Sequence, residues 1–422
     1  MPVTDGWPLD QGKDAGLLLS ACAAFAPDGF DRIGVAVSGG GDSIALLHLV
    51  HRCAPHAGWK VEAVTVDHAL RDASAAEAES VAAYCATLGV PHASLRWDHG
   101  AIAGNVMDAA RRARMRLIGD WARDCGIAHV ALGHTADDQA ETFLMGLARA
   151  SGLDGLAGMR RDWREGGIIW GRPLLGHRRA DLRSYLQRHG IAWVDDPTND
   201  DDSYTRIKAR KALVALGSLG ITVEGLTATA NHLAVAQHAL DDCMQTAVKL
   251  HASETGGGLH INRAGFDALP FDLQRRLLLA AIGWLSGDPY PPRSQKQATL
   301  LAAIRGRRDA TLNGCRFLSC PDMIRILREP KAIAAHETLT TALWDNRWHL
   351  DGSHAAGLTI RALGDGLRQI PDWRAAGVPR DALIVTPAVW QGDTLIAAPL
   401  ANFAHGWTAT VRPAFVSFLL SH

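Results

Sequence analysis

The chain has 422 residues, 47% of them apolar, enough material for two or three domains with cores of their own. Its 43 basic and 44 acidic residues leave a formal net charge of −1, which excludes a protein that binds nucleic acid through bulk basicity but not one with a local patch. Seven cysteines, an odd number with no C-x-x-C pair, are expected to be buried reduced thiols of a cytosolic protein.

The run Ala15–Ala26 is apolar but is preceded by Asp5, Asp10 and Asp14 against a single Lys13, the wrong front end for a signal peptide. It is also short of the ~20 apolar residues that cross a bilayer. A helix packed beside the first strand is expected, with no membrane partner and a cytoplasmic location. The β-branched stretch Ile33–Val37 then reads as a buried parallel strand. Ser38-Gly39-Gly40-Gly41-Asp42-Ser43 follows, and apolar spacing from Ile44 to Val50 predicts a helix that Ser43 or Asp42 can cap. Strand, glycine turn and helix N-terminus together make an anion cradle, because unpaired amides and the positive end of the macrodipole converge there. No Gly-Lys-Ser/Thr ending makes it a Walker A loop, and the glycine spacing is not that of a dinucleotide fingerprint.

A second strand fits Val61–Asp67 and runs into His68-Ala69-Leu70-Arg71; Ser74 and Glu77 form a capping-box pattern opening a helix to Leu88. A third strand fits Ala93–Trp97, and Asn105 opens a long helix, Val106–Cys125, carrying Arg111, Arg112, Arg114 and Arg116. The fourth strand, Ala128–Leu132, enters Gly133-His134-Thr135-Ala136-Asp137-Asp138-Gln139-Ala140-Glu141-Thr142. Such alternation predicts an α/β domain, a parallel sheet with helices on both faces, whose ligands bind beyond the C-terminal strand ends. The glycine loop, Asp67-His68 and Gly133-His134 all fall at such ends. Residues 149–188 are dense in arginine (Arg149, Arg160, Arg161, Arg164, Arg172, Arg178, Arg179, Arg183, Arg188) and are expected to form a phosphate-facing stripe. Trp193-Val194-Asp195-Asp196-Pro197-Thr198-Asn199-Asp200 is rich in turns, and Arg206 to Lys211 open another helix. From about Ser218 the texture is helical through Leu285 and again over Gln295–Ile304. A hairpin is expected from Thr311–Leu318 and Ile324–Leu327, and C-terminal strands around Leu383–Val385 and Thr394–Ala398. The expected domains are 1–216, 217–332 (mainly helical, ending in the hairpin) and a small α+β module over 340–422.

Ser-Gly-Gly-Gly-Asp-Ser resembles the pyrophosphate-binding PP-loop of enzymes that split ATP between the α- and β-phosphates. With Val66–Arg71, Gly133–Thr142, and Asp195–Asn199 leading to Arg206, it resembles one family within that superfamily, the tRNA(Ile)-lysidine synthases. Arg172-Pro173-Leu174-Leu175 and Thr311–Arg316 also look like family features, whereas Met107, Met115 and Lys208 depart from the family's usual residues.

The resemblance implies an adenine nucleotide alpha hydrolase-like fold and a ligase that joins L-lysine to C2 of the wobble cytidine of the CAU-anticodon tRNA(Ile). ATP adenylates that base first, and AMP and pyrophosphate are released. It implies that Ser38, Gly39, Gly40, Gly41 and Ser43 hold phosphates, that Asp42 holds Mg²⁺, and that Asp67, His68, Gly133 and His134 line the nucleotide. Arg111 is implied as the stabiliser of the α-phosphate, Arg114 being a possible surface residue. Asp138 and Glu141, three apart on one helix face, suit the cationic lysine, and Arg206 and Arg210 the RNA. The alternatives are a PP-loop tRNA thiolase, a small-molecule ligase of the superfamily, or a non-catalytic tRNA-binding relative. The residues do not specify an oligomeric state.

Overall fold

Short, mostly apolar strands alternating with helices set the architecture of the N-terminal half. A computed structural model of the chain describes residues 12–25, 30–69, 74–100, 106–194, 205–288 and 290–421. It contains two compact units, residues 1–237 and 238–422.

In the first unit, helix α1 (Ala15–Ala23) precedes strand β1 (Arg32–Ala36) and helix α2 (Gly41–Ala57). Then come β2 (Lys60–Asp67), α3 (Ser74–Thr87), β3 (His92–Arg96), α4 (Val106–Asp124), β4 (His129–Leu132) and α5 (Ala136–Ala148). A short turn of helix, α6 (Leu153–Leu156), leads to a hairpin of β5 (Asp162–Glu165) and β6 (Ile168–Gly171), followed by α7 (Arg179–Arg188), α8 (Thr205–Leu216) and the first half of the long α9 (Val223–His251), whose remainder belongs to the second unit.

The strands form one sheet in the order β3-β2-β1-β4-β6-β5, with β5 alone antiparallel, to β6. Alternation along the strands serves two cores. Ile33, Val35, Val61 and Ala63 pack with α1, α2, α3 and α7, whereas Val64, Val130, Leu132 and Trp170 pack with Ile118 and Ala122 of α4. Gly34 is required on the second face, since a Cβ there would lie 2.9 Å from the Trp121 ring. After β3 the chain returns to the other side of β1, so β1 and β4 flank a topological switch point, where parallel α/β sheets bind their ligands.

Two expectations change here. Cys22 and Cys53 form a disulfide between α1 and α2, with Cα atoms 5.9 Å apart, instead of two free thiols. Their 31-residue separation carried no signal, because only the packing of two helices side by side brings them together. The β5–β6 hairpin, read as part of an arginine-rich surface, extends the main sheet through Ile168 and Trp170.

The second unit holds a five-stranded antiparallel sheet in the order Ala252–Thr255, Gly258–Asn262, Met323–Arg328, Cys315–Ser319, Ala310–Leu312. Leu277, Ile282 and Ile304 from helices Phe271–Ser286 and Ser294–Arg305 cover it. The hairpin expected at 311–327 is thus the edge of a larger sheet, and helix gives way at 252 because Gly256 and Gly257, both at positive φ, turn the chain back. A further four-stranded sheet includes Pro387–Gln391 and Thr394–Ala397. The strand expected at Leu383–Val385 is displaced to begin at Pro387, because Arg380–Leu383 is a helical turn opened by Pro379. Among the described residues no single helix is long and apolar enough to cross a membrane.

Candidate active site

The glycine loop closes on itself through serine. The Ser43 hydroxyl donates to the Gly40 carbonyl (2.9 Å), accepts from the Ser38 amide (3.1 Å) and lies 3.2 Å from the Ser38 hydroxyl. Gly40, not Ser43 or Asp42, is the N-cap of α2, and no side chain caps it. Ser43 and Ile44 amides both turn to Gly40 O, so Gly41 and Asp42 are left without an intrahelical acceptor for theirs. Asp42 stands in the first turn with its side chain released from capping. Gly39, at φ +87°, makes the turn. Gly133, after β4, lets two backbones touch: a Cβ there would sit 3.0 Å from Ser43 Cα and 3.1 Å from the Asp42 carbonyl carbon.

Helix α5 starts at that contact. Thr135 caps it, and Asp138 completes a capping box by accepting at Oδ2 from the Thr135 amide and hydroxyl, both at 2.8 Å. Its other oxygen, Oδ1, accepts from Arg179 Nη2 at 2.9 Å. Arg179 also donates through Nε to Asp42 Oδ2 (2.9 Å) and through Nη1 to Glu141 Oε1 (3.3 Å). Glu141, fully buried, further pairs with Arg210 Nε (2.9 Å) and Arg206 Nε (3.3 Å). Asp137 accepts from the Arg179 amide (2.7 Å) and from Arg178 (3.2 Å). Asp138 and Glu141 do share a helix face, and that face is built into a network with the chain's own arginines.

Burial raises the Asp42 carboxyl above the usual carboxylate range, and Arg179 offsets this only in part. Burial also opposes ionisation of Asp138, but Arg179 and Arg206 outweigh it and hold its carboxyl below that range. The two differ because Asp138 has a second arginine and the Thr135 amide, whereas Asp42 has a share of one guanidinium.

On the other side of Gly133, His134 Nδ1 accepts from Arg172 Nε at 3.1 Å. Arginine has no lone pair to offer, so Nδ1 carries no proton and the ring is a neutral Nε2–H donor. Burial and Arg172 push its pKa down to about 3. His134 is therefore expected to stay neutral from pH 5 to 8; a ring ¹⁵N titration with an inflection near 6.5 would contradict this. Arg172 is buried, stacks 4.2 Å from the Trp163 ring centroid, and donates to the Arg160 carbonyl at 2.6 Å. Burial lowers its pKa to about 10, helped by Arg111 and Arg114.

Arg111 is exposed, and Arg114, for which a surface position was an open alternative, has a buried Nε with no hydrogen-bond partner among the described residues. Arg111, Arg114, Arg172 and Arg206 repel one another, as the lowered pKa values of Arg114 and Arg172 record after burial itself. Such clustering suits a polyanion. Asp67 Oδ1 accepts from the Ala69 amide (2.8 Å), and His68 packs edge-on to Trp97. Ala69, Arg96 and Trp97 line a cavity of about 400 Å³ at the ends of β2 and β3.

The structure thus gathers Asp42, Asp138, Glu141, Arg206 and Arg210 into one network, and sets Gly133 against the loop. Arg179 escaped the sequence reading because it stood in a run of arginines; the acids it meets lie on other elements. The phosphate-facing stripe is corrected accordingly: Arg172, Arg178, Arg179 and Arg188 are engaged with His134, Asp137, Asp42 and Asp14. Asp195–Asn199, Leu70, Arg71, Asn105 and the Ser74 side chain lie outside the described residues.

Mg²⁺ is commonly held by one or two carboxylates plus substrate phosphates, not by an all-protein cage. Asp42 fits that demand: its Oδ1 is buried beside the glycine loop and makes no hydrogen bond among the described residues.

Residues 19–216 match the PP-loop domain family. The chain is 47% identical over 407 residues to a tRNA(Ile)-lysidine synthase of Ruegeria pomeroyi, covering 95% of this chain and 96% of that one. It is 40% identical over 296 residues to the synthase of Hyphomonas neptunium (68% and 78% covered) and 34% over 396 residues to that of Wolbachia pipientis wMel (88% and 89%). Among solved structures, the U34-tRNA thiolase NcsA from Methanococcus maripaludis aligns at a TM-score of 0.45 and 12% identity, covering 52% of this chain and 78% of that one.

Proposed function

This chain belongs to the tRNA(Ile)-lysidine synthase family, built on a PP-loop domain, and from that premise we propose that it ligates L-lysine to the wobble cytidine of the CAU-anticodon tRNA(Ile) in the cytoplasm. It uses ATP. The observation that carries the reading is the meeting of Asp42, beside a phosphate-type glycine loop, with Asp138 and Glu141 around one guanidinium.

In the first step the C2 oxygen of the cytidine attacks the α-phosphorus, and the bond to pyrophosphate breaks. The loop serines and the amides of Gly39, Gly40 and Gly41 hold the departing phosphates. Asp42 would hold Mg²⁺, which would neutralise charge on those phosphates. Arg111, with Arg114 at its side, faces the α-phosphate, where negative charge accumulates. Asp67 and His68, at the end of β2, line the adenosine, and His134 donates from Nε2 to the ribose or α-phosphate. In the second step the ε-nitrogen of lysine attacks C2 and AMP leaves with the oxygen. A free ε-ammonium has a pKa of about 10.4, so it must lose a proton before attack, and a carboxylate within reach accepts it.

Asp138 and Glu141 retain capacity for an ammonium group. A carboxylate has about four acceptor sites, and each of these two makes three contacts among the described residues. Arg206 and Arg210 lie beside them and face the RNA near the reacting nucleotide. The base must be unstacked to react, which an anticodon loop permits. Residues 217–332 and 340–422 contribute further tRNA contact. The thiolase alternative is not favoured, since relatives spanning nearly the whole chain bear the synthase name.

Purified protein incubated with ATP, Mg²⁺, labelled lysine and unmodified tRNA(Ile) is expected to place label in a cytidine derivative. Pyrophosphate release without lysine incorporation would refute the amino-acid assignment. Neither signal, with tRNA still bound, would leave a binding protein.

A further inference from the structure

We propose that Arg179 is a positioning residue that couples the two half-reactions, by holding the pyrophosphate-side carboxylate at one fixed spacing from the lysine-side carboxylates. The inference rests on the roles proposed above for Asp42, Asp138 and Glu141.

Three elements meet at this guanidinium. Asp42 comes from α2, Asp138 and Glu141 from α5, and Arg179 itself from α7, and each carboxylate takes a different nitrogen. A planar fork with five donors fixes directions as well as charge, which an ammonium cannot do. The fork is itself held: the Arg179 amide donates to Asp137 Oδ2 at 2.7 Å, and Leu182, Tyr185 and Leu186 bury α7 in the sheet's core.

Its position in α7 is a second, independent indication. Arg179 is the first residue of α7, at the positive end of the macrodipole, where a cation is disfavoured. Helix stability gives no reason for a guanidinium there. The geometry of three acids on two other helices does.

The test uses the full-length protein. Arg179→Lys and Arg179→Gln are compared with wild type in ATP-dependent adenylation of tRNA without lysine, and in lysine transfer, with KM for ATP and lysine and the melting temperature of each variant. Arg179→Lys keeps the charge and loses the fork, so it is expected to fold and to raise both KM values about 10- to 100-fold, as loss of a supporting partner does in metal sites. Arg179→Gln is expected to be worse, with lysine at 179 giving partial rescue. A fall in kcat alone, with both KM values unchanged, marks a structural role and overturns the proposal. A rise in only one KM overturns the coupling. Asp42→Asn is measured in parallel: if it adenylates tRNA normally, the reading on which the coupling rests is overturned, whatever the Arg179 variants show.

Discussion

Replacing Asp42 with asparagine is expected to slow adenylation of the tRNA by about 10²- to 10³-fold without unfolding the protein, the cost of removing a preorganised charge from a reacting phosphate. The helix does not need this side chain, since Gly40 is its N-cap and Ser43 ties the loop. Nor does stability gain from its charge. The folded chain raises the Asp42 pKa, so it binds that proton more tightly than the unfolded chain does. The stabilisation from the protonated form is present at low pH and is lost as pH rises through the folded pKa. At neutral pH the ionised Asp42 is therefore a burden on the fold, and asparagine should leave the melting temperature unchanged or higher. Pyrophosphate release and AMP transfer to tRNA, measured without lysine, read the effect. Wild-type rates in the variant would remove Asp42 from the reaction.

Glu141→Gln is expected to raise the lysine requirement about 10- to 100-fold while the first step persists. Glutamine keeps the shape and one carbonyl acceptor but leaves Arg179, Arg206 and Arg210 without the charge they share. Breaking a buried ion-pair network by removing one partner costs about 3–5 kcal/mol, and retention of shape and of one acceptor places this variant toward the lower end. A lower melting temperature should therefore accompany the kinetic change. Saturating lysine should recover turnover in the portion that remains folded. Adenylation lost in proportion to lysine transfer would show that Glu141 does not serve the amino acid.

Strands β1 to β4 were legible because each is a short, mostly apolar run and each turn bears its own chemistry, as Val35–Val37 before Ser38-Gly39-Gly40 shows, whereas the β5–β6 hairpin was not, since Asp162–Glu165 is polar. The α5 carboxylates were legible too, since a separation of three residues on a helix fixes a common face whatever surrounds it. Capping was misread at Asp42 and Ser43 because acids and serines cap helices in general, and only the loop's closure shows that Gly40 takes that position here.

What the sequence by itself determined is what local periodicity and local turns encode: the order of strands and helices from β1 to α5, the glycine cradle, and the polar residues at three strand ends. Only tertiary structure decided which charges meet. Arg179 lies 137 positions from Asp42 and 41 from Asp138, and no spacing rule connects residues whose neighbours are set by strand order and helix packing. The same holds for Arg172 on His134, for the Cys22–Cys53 bond, and for Arg114, whose Nε is turned inward where the sequence left a surface position open. The physical reason is common to all four. Side-chain periodicity assigns a residue to a face, while the free energy of an ion pair or a bond depends on what the opposite face presents, which is settled when the elements pack.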